Sequence, residues 1–141
     1  MPKLAAHWDY LQTEWTAAQA APLSIRKTLL VASLIDAYAD RLFASDQTAD
    51  DILVFRAGLA SDTPALGPIF ALCAQRVDAP RLVLSATEVP LSHYTQLGVA
   101  DFMVSLYNNH TVQRVQFAYP DGTQLDAQTI LGAAMERLAR A

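Results

Sequence analysis

One cysteine, Cys73, stands in the 141 residues, so the chain closes no internal disulfide. A lone thiol cannot by itself build a structural zinc site either. Glycine is scarce and scattered. Gly58, Gly67, Gly98, Gly122 and Gly132 lie too far apart to form a phosphate-cradling loop. His-Glu-x-x-His, Gly-x-Ser-x-Gly and Cys-x-x-Cys are all missing, which removes the commonest signed enzyme classes and leaves enzymes as such open.

Charge is low as well. Charged residues make up 17% of the chain, against about 25% in an ordinary domain. Net charge is −4, and the basic residues after position 80, Arg81, Arg114, Arg137 and Arg140, are scattered. Nucleic-acid binders gather Lys and Arg on one face to neutralise phosphates, so nucleic acid is disfavoured, and an anionic membrane surface with it. The longest apolar runs, Leu29 to Ile35 and Pro64 to Ala74, fall well short of the roughly 20 residues that span a bilayer. Met1 to Tyr10 lacks the charged start and apolar run of a signal peptide. Asn109-His110-Thr111 is then a chance glycosylation match. These features together imply a soluble cytoplasmic protein with no cofactor signature.

Apolar residues, by contrast, are plentiful at 52%, much of the surplus being alanine. A domain of this length buries about 70% of its unfolded surface around one core. An apolar excess beyond that need hints at a buried subunit interface.

Pro2 to about Gln19 reads as a helix, with Leu4, Trp8, Leu11, Trp15 and Ala18 on one face. Leu23 to about Ala44 reads as a longer one. Ile25, Leu29, Ala32, Ile35, Ala39 and Leu42 make its stripe, widened by Leu30, Leu34, Tyr38 and Phe43. It is nearly apolar all round, the mark of a central helix, and Leu30, Leu34, Ile35, Tyr38 and Leu42 are expected to be its most buried set. Thr48-Ala49-Asp50-Asp51 predicts a Thr cap and an acidic first turn for a third helix running to about Ala60. A fourth is expected to begin near Gly67 and to end by Val77, because Pro68 sits too deep for an earlier start.

The character changes after Pro80. Arg81 to Val89 reads as a strand, and Thr111 to Tyr119 as a second with period two. Tyr119-Pro120-Asp121-Gly122 is a turn signal, and Asp126 caps a final helix whose apolar face is Ile130, Leu131, Ala134, Met135 and Leu138. Residues 99–107 fit strand or helix, with helix preferred because Gly98 and Asn108-Asn109 sit at its ends. The resulting fold class is α+β, a single domain over 1–141. A mainly helical N-terminal half of about four helices, spanning about 1–78, packs with a small antiparallel sheet and a C-terminal helix in 79–141.

Two clusters are candidate ligand sites. In Ser24-Ile25-Arg26-Lys27-Thr28, two cations sit where a helix end already carries positive charge. A bound small anion, held by the Ser24 and Thr28 hydroxyls with Arg26 and Lys27, would answer that conflict. The plain alternative is that both cations reach into water or pair with Asp9 or Glu14. The second cluster is His93, Tyr94, Asp101, Asn108, His110 and Arg114, residue types that suffice for acid–base work on an anionic substrate. The alternative is ordinary surface loop and turn.

Asp36 and Asp40 lie four apart beside Arg41, with His7 the one histidine near enough in sequence to join a helical metal site. A polar helix edge explains them as well. Cys73 lies in an apolar run with no base beside it and reads as a small hydrophobe. The Trp8–Trp15 stripe reads as packing or as a surface for self-association. The reading preferred here is a non-enzymatic interaction or regulatory module acting as a homodimer. The alternative is a small-molecule-binding protein or enzyme acting on an anionic metabolite.

Overall fold

A computed structural model describes residues 2–45, 51–88 and 111–140. Its described elements are five helices and three strands. The helices are α1 (Pro2–Gln19), α2 (Ile25–Ser45), α3 (Ile52–Asp62), α4 (Leu66–Ala74) and α5 (Ala127–Ala139), and the strands β1 (Arg81–Glu88), β2 (Thr111–Ala118) and β3 (Gln124–Asp126). The expected α+β class holds, with a helical first half, a small antiparallel sheet and a C-terminal helix. The segment 99–107, expected as a helix, lies outside the described residues.

α2 is the central helix, packed against α1, α3, α4, α5 and β1. Its buried residues are Thr28, Val31, Ala32, Ile35, Tyr38, Ala39 and Leu42. The expected most-buried set is therefore corrected. Ile35, Tyr38 and Leu42 belong to the core, Leu34 is half-buried, and Leu30 stands 37% exposed. At 100° per residue Leu30 falls on the side opposite Ile35, and a helix flanked on only part of its circumference leaves that side to water.

Local backbone chemistry sets the ends of α3 and α4. The cap of α3 is Asp51, whose carboxylate accepts from the Leu53 amide at 2.8 Å; Thr48, the expected cap, lies outside the described residues. α4 begins at Leu66, which puts Pro68 in its first turn, where the missing N–H breaks nothing. It ends at Ala74 because Gln75 turns left-handed, with φ 55°, and that reversal stops the helix short of Val77.

The sheet order is β1-β2-β3, antiparallel throughout. Leu82 pairs with Phe117 and Phe117 with Leu125, so these three point to one face. That face meets the helices, and Phe117 is completely buried. The turn after β2 forms as expected. The Gly122 amide donates to the Tyr119 carbonyl at 3.0 Å, and Gly122 takes φ 94°, a conformation glycine adopts without strain. Asp126 caps α5, its carboxylate accepting from the Thr129 amide at 2.9 Å.

Candidate functional site

The helix starting at Ile25 uses its hydroxyls on itself. Ser24 Oγ accepts from the Lys27 amide at 3.1 Å, and Thr28 Oγ1 donates to the Ser24 carbonyl at 2.9 Å. Thr28 is buried, Lys27 half-buried and Arg26 exposed. The four residues are adjacent, but the two hydroxyls already serve as cap and as buried bond. Among the described residues, no ion pair joins Arg26 or Lys27 to Asp9 or Glu14.

Of the second cluster, Arg114 alone is described. It sits half-buried on β2, with Nη1 donating to the Gln113 carbonyl at 2.8 Å. His93, Tyr94, Asp101, Asn108 and His110 lie outside the described residues. His7 is engaged elsewhere, with Nε2 at 2.9 Å from the Leu34 carbonyl and its ring edge-on to Tyr38. Trp8 and Trp15 are half-buried and packed on the core, Trp8 against Tyr38 and Trp15 beside Gly132. Both also line an open hollow between α1 and α5.

Asp36 and Asp40 answer a cation on the neighbouring helix. Arg56 pairs with Asp36, reaches Asp40 at 2.8 Å and donates to the Asp36 carbonyl at 3.2 Å. Its guanidinium also lies 4.1 Å from the centre of the Phe70 ring on α4. One side chain therefore ties α2, α3 and α4 together. The signal was present in the sequence, since Arg56 is the only cation of α3 and stands among apolar neighbours from Ile52 to Ala60. Among the described residues no group of three metal-ligating types gathers. Burial pushes the Cys73 thiol up to about 11, helped by the Asp36 carboxylate, so it is a poor nucleophile.

Among the described residues, an apolar groove lies where α2 starts, α4 ends and the β2–β3 turn folds over. Ile25, Leu29, Leu72, Val77, Pro80, Leu82 and Tyr119 line a groove of about 630 Å³, with Arg76 and Arg81 as the charged residues among the described lining. Ile25 and Leu29 are one helical turn apart and share an edge of α2. They are 37% and 44% exposed, and Val77 is fully exposed at 102%. Burial raises the Tyr119 phenol above its ordinary value, and the Asp121 carboxylate adds to the rise. A second hollow, lined by Leu53, Arg56 and Phe70, shares Arg76, Ala79 and Tyr119 with the first. The two form one surface. Sequence reasoning missed it because its parts come from positions 25–29, 72–82 and 118–120, brought together only by the fold.

Comparison with protein-family models, with curated proteins and with solved structures finds no match.

Proposed function

We propose that the chain is a non-enzymatic interaction module that acts as a homodimer through the groove between α2, α4 and the β2–β3 turn. One observation carries this reading: Ile25, Leu29 and Val77, three large apolar side chains, stand exposed together on one concave face. Apolar residues scattered singly on a surface mean little, whereas a contiguous set rimmed by charge marks an association site. The described residues add support by what they do with their reactive groups. Cys73 holds its proton, His7 is bound to backbone, and Arg56 is neutralised by two carboxylates. The lone, protonated thiol suits a reducing cytoplasm.

Leu29→Asp combined with Val77→Asp tests the reading by light scattering at micromolar concentration. Both sites are exposed, so the variant keeps its far-UV circular dichroism. Wild type is expected at twice 15.4 kDa and the variant at the single mass. Two dimers of equal strength would overturn the assignment of this face.

A small anion at Ser24–Thr28 is a second reading. It is favoured by one fact: Arg26, exposed, and Lys27, half-buried, both stand in the first turn of α2, where the helix end is already positive.

A further inference from the structure

Residues 76–79 form a tight turn, closed by the Ala79 amide donating to the Arg76 carbonyl at 3.0 Å. The left-handed Gln75 just before it swings the turn away from the end of α4. Val77 and Asp78 are its two central residues, so the fully exposed Val77 is a projecting apolar knob. It lines one hollow together with Ile25, Leu29 and Leu72. Knob and hollow belong to the same face of the same chain. The knob is also flanked by opposite charges, Arg76 before it and Asp78 after it. Both side chains are exposed, and neither has an ion pair among the described residues.

We infer that this face is self-complementary about a two-fold axis: Val77 of each copy seats in the hollow of the other, and Arg76 pairs with Asp78 of the partner subunit. This rests on the homodimer reading above and fixes its register. A two-fold interface sets one patch against itself. Rotation about an axis beside Val77 reverses the order positive–apolar–negative and so lays each charge on its opposite. A small anion would meet Arg76 and Arg81 favourably but would leave Asp78, which lines the adjoining hollow, unanswered. A second copy satisfies all the charges of the turn and fills the hollow at once. Such pairs at the rim of an interface set register and specificity more than raw affinity.

Sedimentation of the full chain with Arg76→Asp, Asp78→Arg and the double exchange tests the register. Each single reversal puts two like-charge contacts into every dimer, and we expect it to weaken association at least tenfold. The double exchange rebuilds both pairs with the signs swapped, and its association should return to within about threefold of wild type. This is the signature of direct coupling between neighbouring residues. Singles that associate like wild type overturn the register, as does a double exchange as weak as the singles. If Leu29→Asp with Val77→Asp still yields a monomer in those cases, the face stands and only its register is wrong. A wild type that is monomeric throughout ends both readings.

Discussion

Arg56→Met removes the guanidinium that clips α3 and α4 to α2 while keeping an apolar stem of similar length. The cost can be worked from the contacts. The bond to Asp36 is charge-assisted and partly shielded, the Asp36 side chain being 27% exposed, and such bonds contribute about 1.5–3 kcal/mol. The Asp40 partner is 54% exposed, so its share is screened to about 0–1 kcal/mol. Loss of the guanidinium from the Phe70 face removes roughly 0.5–1 kcal/mol, and methionine packing there returns part of it. Because both carboxylates can turn to water once freed, the lower half of that range applies. The expected loss is about 2 kcal/mol, or roughly 6 °C in melting temperature for a domain of this size. Urea titration followed by circular dichroism measures it. The effect should persist at half-molar salt, since the Asp36 contact is sheltered and only the Asp40 part is screened. A loss below about 0.5 kcal/mol, or one abolished by salt, would refute the claim that this clip holds the helical layer together.

Further outcomes follow from the same contacts. Ile35→Ala, at a fully buried site, should cost roughly 2–5 kcal/mol, and Leu30→Ala, on the exposed side, under about 1 kcal/mol; equal losses would show that the core is misplaced. Gln75→Gly should raise stability by up to about 1 kcal/mol by removing a left-handed side-chain residue, read as a higher urea midpoint at unchanged slope. The Arg137 guanidinium, through its hydrogen bond and charge, holds the Asp62 carboxyl below its ordinary value of 3.8. A depressed folded-state value gives stability that is complete above that range and is lost as pH falls through the lowered value. Asp62→Asn should flatten this part of the acid limb, and an identical pH profile would show that the pair is not formed. Cys73, raised to about 11, should react with iodoacetamide far more slowly at pH 8 than a free thiol, with the rate still climbing above pH 9. Phosphate should raise the melting temperature saturably at millimolar concentration if Arg26 and Lys27 bind an anion, and Arg26→Ala with Lys27→Ala should remove that part.

Much of the fold was legible in sequence because the strongest signals are local. The stripe of α1, the alternation in β2 and the Asp126 cap each depend on residues within one or two turns. β3 was not legible. Its three residues, Gln124, Leu125 and Asp126, are too few to show a period, and they become a strand only because β2 lies alongside. The exposed side of α2 was hidden for a related reason. A helix apolar nearly all round does not reveal which arc its neighbours leave uncovered, so Leu30 looked as deep as Ile35. At the site, the spacing of Asp36 and Asp40 was visible, but the partner that explains it, Arg56, acts across 16–20 positions. The groove is longer-ranged still, joining three segments that no periodicity connects.

Sedimentation equilibrium of the wild-type chain across a hundredfold range of micromolar concentrations tests the central claim most directly. The account predicts a mass rising from 15.4 kDa to twice that value as concentration increases, with the melting temperature rising in step because only the folded dimer gains from mass action. A single species of 15.4 kDa at every concentration, with a constant melting temperature, would contradict it.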